Sequence, residues 1–254
     1  MEKRGQITIF LAAALVVLFV IMLLFLARGR IIEQFKTPNV QQQLQTELTL
    51  IEKEISRCVT TETNKLLEIL ARQGGHLHTS NTVYYNGKQV TVLCQHIPNS
   101  NACLSTPLVK KTIQQELDKE LTQKLGSCID LTPFKRIDYE LTEGPFTLQS
   151  QINPEHVLIT LHYPLALKKD DVTLTKESYT QEVDAPLGTL IQVTNDILNQ
   201  EATTGTFDPL DYTLIHLNKY TLQLKKPYPH KVYLLETRER PAYQLKFAIA
   251  GADA

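Results

Sequence analysis

Four cysteines carry the most legible chemistry in this 254-residue chain: Cys58, Cys94, Cys103 and Cys128. No pair has the Cys-x-x-Cys spacing that marks most structural zinc sites. An even number of thiols in a chain that begins with an apolar stretch reads instead as two disulfides. Three pairings are open. The expected one joins Cys94 to Cys103 across a short polar loop and leaves Cys58 with Cys128 to staple two helices. The chain-entropy treatment makes these closures worth roughly 3 and 4 kcal/mol.

The other reactive side chains are scattered. His76, His78 and His96 flank an Asn86-Gly87 turn. A two-residue turn sets His96 opposite Leu77, facing away from His76 and His78; a three-residue bulged turn sets it opposite His78. Solvent-facing histidines are the expectation, and no metal or cofactor is assigned. Asp170-Asp171 and the Asp208 and Asp211 pair around Pro209 read as turn residues, where carboxylates are expected to cap backbone amides. No Gly-x-Ser-x-Gly, His-Glu-x-x-His or phosphate-cradling glycine loop occurs, and the chain has only 10 glycines. No catalytic residue is named. Of the adjacent Tyr84 and Tyr85, a strand sends one to each face, so at least one belongs to the core.

These residues must be held by a chain whose first feature is apolar. From Ile7 to Ala27 it reads ITIFLAAALVVLFVIMLLFLA, without charge or proline. As a helix this run is about 31 Å long, the thickness of a bilayer's hydrocarbon core. It is apolar all round, whereas a buried helix of a water-soluble domain keeps a polar stripe. A single transmembrane helix is therefore expected. Lys3 and Arg4 precede it and Arg28, Arg30 and Lys36 follow, so basic residues alone lean slightly toward a cytoplasmic C-terminus. Disulfides require an oxidising side and reverse that leaning. A net charge of −1, without a basic run, argues against nucleic acid as a partner. The expected partners are the lipid bilayer, other copies of the chain or other cell-surface proteins.

Lys3-Arg4-Gly5-Gln6 followed by Ile7-Thr8-Ile9-Phe10 resembles the class III signal of archaeal type IV pilin-like proteins. The resemblance implies a membrane peptidase cut between Gly5 and Gln6 that leaves the apolar helix on the mature chain. Pilins often carry a glutamate five residues into the mature chain, where this sequence has Phe10.

Thr37-Pro38 is expected to interrupt the first helix, because the residue before proline avoids the α region. An amphipathic helix from about Val40 to Arg72 should follow, with Leu44, Leu48, Ile51, Ile55, Val59, Leu66 and Ile69 on its apolar face and Gly74-Gly75 as its stop. Asn86-Gly87 predicts a hairpin. A third helix is expected from Ser105 or Thr106 to Gly126, with Val109, Ile113, Leu117, Leu121 and Leu125 apolar. Period-two alternation then predicts strands around Ile137–Leu141, Val157–Leu161 and Val172–Leu174. A fourth helix runs from Pro186 to about Gln200. Strands should close the chain at 213–217, 221–224, 232–235 and 243–249. The fold class is α+β, with antiparallel meanders packed with two further helices. The expected divisions are residues 1–36 as anchor, 37–131 as helical stalk with hairpin and disulfides, and 132–254 as α+β ectodomain.

Ser56-Arg57-Cys58 in a helix, Arg72-Gln73-Gly74-Gly75 closing it, the Tyr84-Tyr85 strand and a helix ending at Cys128 are similar to a family of archaeal membrane-anchored surface proteins. That resemblance implies location and architecture rather than an activity. The leading expectation is a non-enzymatic, single-pass cell-surface protein with an extracellular C-terminal domain and a structural or attachment role. A pilin-like filament subunit released by cleavage after Gly5 is the first alternative, and a membrane-bound hydrolase without a sequence signature is the second.

Overall fold

The structure is a computed structural model that describes residues 4–100, 102–135, 138–215, 220–238 and 242–251, with side chains of α1 described at 16–22 and from residue 40 onward. Gly5, Gln6, Ile7 and Ala27 lie outside the described side chains, and Ile137, expected in a strand, lies outside the described residues. The first element is one continuous helix, α1 (Arg4–Arg72), of 69 residues. The break expected at Thr37-Pro38 does not occur. A proline removes one backbone donor and costs about 3 kcal/mol inside a helix. Glu33-Gln34 and Gln41-Gln42-Gln43 flank it with good helix formers, and propagation from both sides carries the helix through. From Val40 on, the buried stripe is Leu44, Leu48, Ile51, Ile55, Val59, Thr63, Leu66, Leu67 and Leu70. Ile69, expected on that face, is 41% exposed, and Leu70 takes its place. The stripe steps from Val59 through Thr63 at helical spacing, and the next members of that row are Leu66, Leu67 and Leu70.

Gly74 and Gly75 end α1 with φ of +69° and +91°. The Gly75 N–H donates to Leu70 O at 2.8 Å and the Gln73 N–H to Ile69 O at 2.9 Å. These bonds close the helix end in left-handed backbone that glycine adopts without strain. A Cβ on Gly74 would also meet the Lys246 carbonyl at 2.9 Å. Glycine is thus required twice at this position, and it lets the helix end approach a strand backbone closely.

That strand belongs to a sheet whose main path is β1 (Thr82–Tyr85), β2 (Lys88–His96), β10 (Gln244–Ile249), β9 (Lys231–Thr237) and β8 (Tyr220–Lys225); β3 (Cys103–Ser105) adds to β2. The β1–β2 hairpin turns on Asn86-Gly87 alone, with Tyr85 paired to Lys88 and φ of +48° and +73° at the two turn residues. β8, β9 and β10 form the expected antiparallel meander. β10 joins β2 in parallel, with Ala248 opposite Val92. One face of this sheet carries Leu93, Tyr233, Leu235, Leu245 and Phe247, all buried. The other carries a smaller apolar cluster of Val90, Val92, Val232 and Ala248.

A second sheet has the order β4 (Glu140–Glu143), β6 (His156–Lys169), β5 (Thr147–Ile152), and β7 (Val172–Asp184) also pairs β6. Val157, Ile159 and Leu161 alternate as buried residues on β6, and Asp170-Asp171 make the turn into β7. Helix α2 (Lys110–Cys128) packs on β5, α3 (Leu187–Thr204) on β2 and β3, and α4 (Pro209–Ile215) on β8. Ile113, Leu117, Leu121 and Leu125 are fully buried on α2. The fold is α+β, as expected, with sheets rich in antiparallel pairs.

Both boundaries of α2 differ from expectation, α3 runs on to Thr204 rather than about Gln200, and α4 takes the place of part of an expected strand. The start of α2 moves from Ser105 or Thr106 to Lys110. Ser105 belongs to β3, the Thr106 N–H donates to Leu93 O at 2.7 Å, and Asn195 takes both backbone groups of Leu108 at 2.8 and 2.9 Å. These bonds keep residues 105–108 out of the helix, and Val109, expected on the apolar face, is 53% exposed. Gly126 does not stop α2, which continues to Cys128. Of the strand expected at 213–217, residues 213–215 belong instead to α4, and 216–217 lie outside the described residues. Asp208 Oδ1 accepts from the Leu210 N–H at 2.8 Å, and Pro209 occupies the first helical position, where its missing donor costs nothing.

By compactness the chain divides into two units. The smaller comprises Met1–Ile51, Thr132–Thr142 and Leu165–Lys176; the larger comprises Glu52–Leu131, Glu143–Pro164 and Glu177–Ala254. In the smaller, Lys169 Nζ reaches Gln43 Oε1 at 3.0 Å and Asp138 Oδ2 at 3.5 Å. In the larger, the edge of β5 is guarded by α2: Asp118 Oδ1 accepts from the Ser150 N–H at 2.7 Å and Gln114 Nε2 donates to Ser150 O at 2.6 Å. Burial raises the Asp118 pKa, and the bonds from Ser150 oppose that shift.

Candidate functional site

The cysteines are joined as the loop lengths favour. Cys58 bonds Cys128 with Cα atoms 6.0 Å apart, and Cys94 bonds Cys103 at 5.5 Å. The first ties α1 to the last residue of α2. The second bridges the antiparallel β2–β3 pair, in which His96 opposes Cys103. Cys58 and Cys94 are fully buried, which leaves them no role as exposed redox groups.

The histidines are not brought together. β1 begins only at Thr82, so His76 and His78 precede the strand. Each instead meets a carboxylate of α2: His76 Nδ1 lies 3.3 Å from Glu116 Oε1, and His78 Nε2 lies 3.0 Å from Glu120 Oε1. Glu116 also accepts the Leu77 N–H at 2.9 Å. Among the described residues no group of three or more His, Cys, Asp or Glu side chains is placed to hold a metal ion. Of the tyrosine pair, Tyr84 is 73% exposed and Tyr85 packs on the valine cluster of the sheet.

His96 borders a cleft of about 340 Å³ together with Glu201, Lys231 and Thr204. Glu201 is 1% exposed, and both its carboxylate oxygens are engaged. Lys231 Nζ donates to Glu201 Oε2 at 2.6 Å and to Gly205 O at 2.6 Å, while the Tyr233 hydroxyl donates to Glu201 Oε1. Burial first, then the carboxylate, pushes the Tyr233 pKa well up, so that phenol stays protonated. A carboxylate with both oxygens occupied is poorly placed to move a substrate proton. The trio clamps the end of α3 to β9.

The feature that sequence reasoning missed is a cleft lined by cations. Arg72 at the end of α1, Lys88 opening β2, Lys225 closing β8 and Lys246 on β10 border a space of about 800 Å³. An adjoining space of about 430 Å³ shares Arg72, Lys88 and Lys246. Strand register explains part of the convergence. Lys246 opposes Leu234 on β9, Lys225 opposes Val232, and residues two apart share a face. The close approach of Gly74 to the Lys246 carbonyl brings the end of α1 to the same place. Burial lowers the Lys246 pKa first, and the charges of Lys88 and Arg72 lower it further, against a smaller opposing effect of the Glu236 carboxylate. Arg72 is bonded to Glu68. Among the described residues, Lys88, Lys225 and Lys246 form no ion pair.

A second surface feature is apolar. Val16, Val17, Leu18, Phe19, Val20, Ile21 and Met22 are each 47–64% exposed. Successive helical residues turn by about 100°, so seven of them sweep nearly two turns and leave no covered face. Among the described residues no helix is long and apolar enough to cross a membrane, and of the run from Ile7 to Ala27 only these seven have described side chains. Comparison of the chain with protein-family models, curated proteins and solved structures finds no match.

Proposed function

We propose that this is a non-enzymatic cell-surface protein, held in the membrane by its N-terminal apolar helix, with the disulfide-bearing α+β portion outside the cell. One observation carries the reading: residues 16–22 are large, apolar and exposed on every side of α1. Such a surface stays in contact with water only at a cost of about 25 cal/mol per Å² of apolar area. Lipid removes that cost without any complementary protein surface. Two disulfides support an oxidising compartment for the residues beyond the helix. Protease added to intact cells should then remove the C-terminal region. Protection until the cells are lysed would reverse the topology.

A pilin-like filament subunit is the second reading, and a specific observation favours it. The helix continues through Thr37-Pro38, so an unbroken rod follows the apolar segment. In a fibre, neighbouring copies would cover residues 16–22 in place of lipid. Cleavage between Gly5 and Gln6 would remove Lys3 and Arg4, whose passage through hydrocarbon costs several kcal/mol. The mature mass of the wild type and of Gly5→Val separates the readings. Fibres that disappear together with cleavage would establish the filament.

A further inference from the structure

We propose that the cation-lined cleft at the C-terminal end of α1 binds an acidic oligosaccharide, with Lys88, Lys225, Lys246 and Arg72 contacting its anionic groups. The site goes beyond the anchoring role and does not depend on it, since every residue involved belongs to the larger compact unit.

The first ground is the charge. Three lysines without an ion pair among the described residues face a shared space with Arg72. Like charges gathered this way oppose folding, and the lowered pKa of Lys246 registers burial together with that repulsion. Of the nearby carboxylates, Glu68 pairs with Arg72, and Glu236, which accepts from Gln244 Nε2 at 3.2 Å, offsets only part of the charge around Lys246. A concentration of positive charge that costs stability is typical of sites selected for a ligand.

The second ground is shape. The larger space falls within the range of about 300–1,000 Å³ typical of small-ligand pockets. Its lining includes Tyr85, Val90 and Leu234 as well as the cations. Apolar groups beside charges suit a sugar, whose C–H faces lie flat while its carboxylate or sulfate groups project from the ring edges.

The third ground separates a sugar from a bare phosphate. Phosphate sites commonly use a helix N-terminus or a nest of backbone N–H groups. Here the helix presents its C-terminal end, with the Ile69 and Leu70 carbonyls already bonded to the Gln73 and Gly75 N–H groups. The binding charge therefore comes from lysines, which act as separate point charges and suit separated anionic groups.

The test is calorimetric titration of the full chain in nonionic detergent with trigalacturonate, maltotriose and inorganic phosphate. Trigalacturonate should bind, maltotriose should give no signal, and phosphate should bind far more weakly. The double variant Lys88→Gln with Lys246→Gln should weaken trigalacturonate by roughly tenfold or more, from the loss of two partly exposed charge contacts. Its thermal midpoint should equal or slightly exceed that of the wild type. Lys225→Gln, on another strand, supplies an independent variant with the same expected direction. The proposal is overturned by equal binding of maltotriose, by phosphate matching the trisaccharide, by unchanged affinity in both variants, or by no binding of trigalacturonate.

Discussion

Helix α1 contains two stretches that are both rich in leucine, isoleucine and valine, yet the fold treats them in opposite ways. Between Leu44 and Leu70 the apolar residues recur every three or four positions, and those on the stripe are at most 5% exposed. Between Val16 and Met22 every residue is apolar and every one is exposed. Apolar content is therefore not what buries a helix here. Periodicity is, because a stripe can be covered by one neighbouring layer, whereas a helix apolar on all sides needs an environment that surrounds it. The first stretch builds a core; the second is exposed on all sides.

The largest expected effects lie on the striped half. Replacing both Cys58 and Cys128 by serine removes the closure between residues 70 positions apart and should cost about 4 kcal/mol of unfolding free energy. Chemical denaturation of the variant checks this. The corresponding pair Cys94→Ser and Cys103→Ser, with a separation of 9, should cost about 3 kcal/mol. A larger loss from the short link than from the long one would mean that chain entropy does not govern these closures.

Ile55→Ala comes next. Ile55 is fully buried, and truncating such a side chain costs about 2–5 kcal/mol through lost burial and the cavity left behind. Ile69→Ala, at a residue 41% exposed, should cost less than about 1 kcal/mol. Measured together, the two sharpen the contrast between stripe and flank within one helix. The smallest effect belongs to the uniform half: Phe19→Ala should change unfolding in detergent by less than about 0.5 kcal/mol. A large loss there would mean that the domain itself buries this segment.

The same physics decides what could be read from the sequence. Local signals were legible: Asn86-Gly87 as a hairpin turn, though not its two-residue register, Gly74-Gly75 as a stop, the Ile113–Leu125 row on α2 and the alternation of β6. Long-range bonds were not. Residues 105–108 stay out of the helix because Asn195, on a helix far along the chain, satisfies Leu108. The parallel pairing of β2 with β10 leaves no periodic trace in either strand. Residues 213–215 include a β-branched threonine and isoleucine that favour a strand, but Asp208 and Pro209 start a helix that contains them. The cationic cleft was invisible for a related reason. Arg72, Lys88, Lys225 and Lys246 are far apart in the sequence, and only sheet register and the glycine-tight helix end gather them.

The central claim is that lipid surrounds residues 16–22, and alkaline extraction of membranes tests it most directly. Wild-type protein should remain in the membrane pellet, because exposing the apolar helix to water costs many times RT. The double variant Leu18→Lys with Phe19→Lys adds about 2.5–3.5 kcal/mol per lysine at the centre of the span. It should move to the supernatant with an unchanged thermal midpoint. Release of the wild type by the alkaline wash, or retention of the lysine variant in the pellet, would contradict the account.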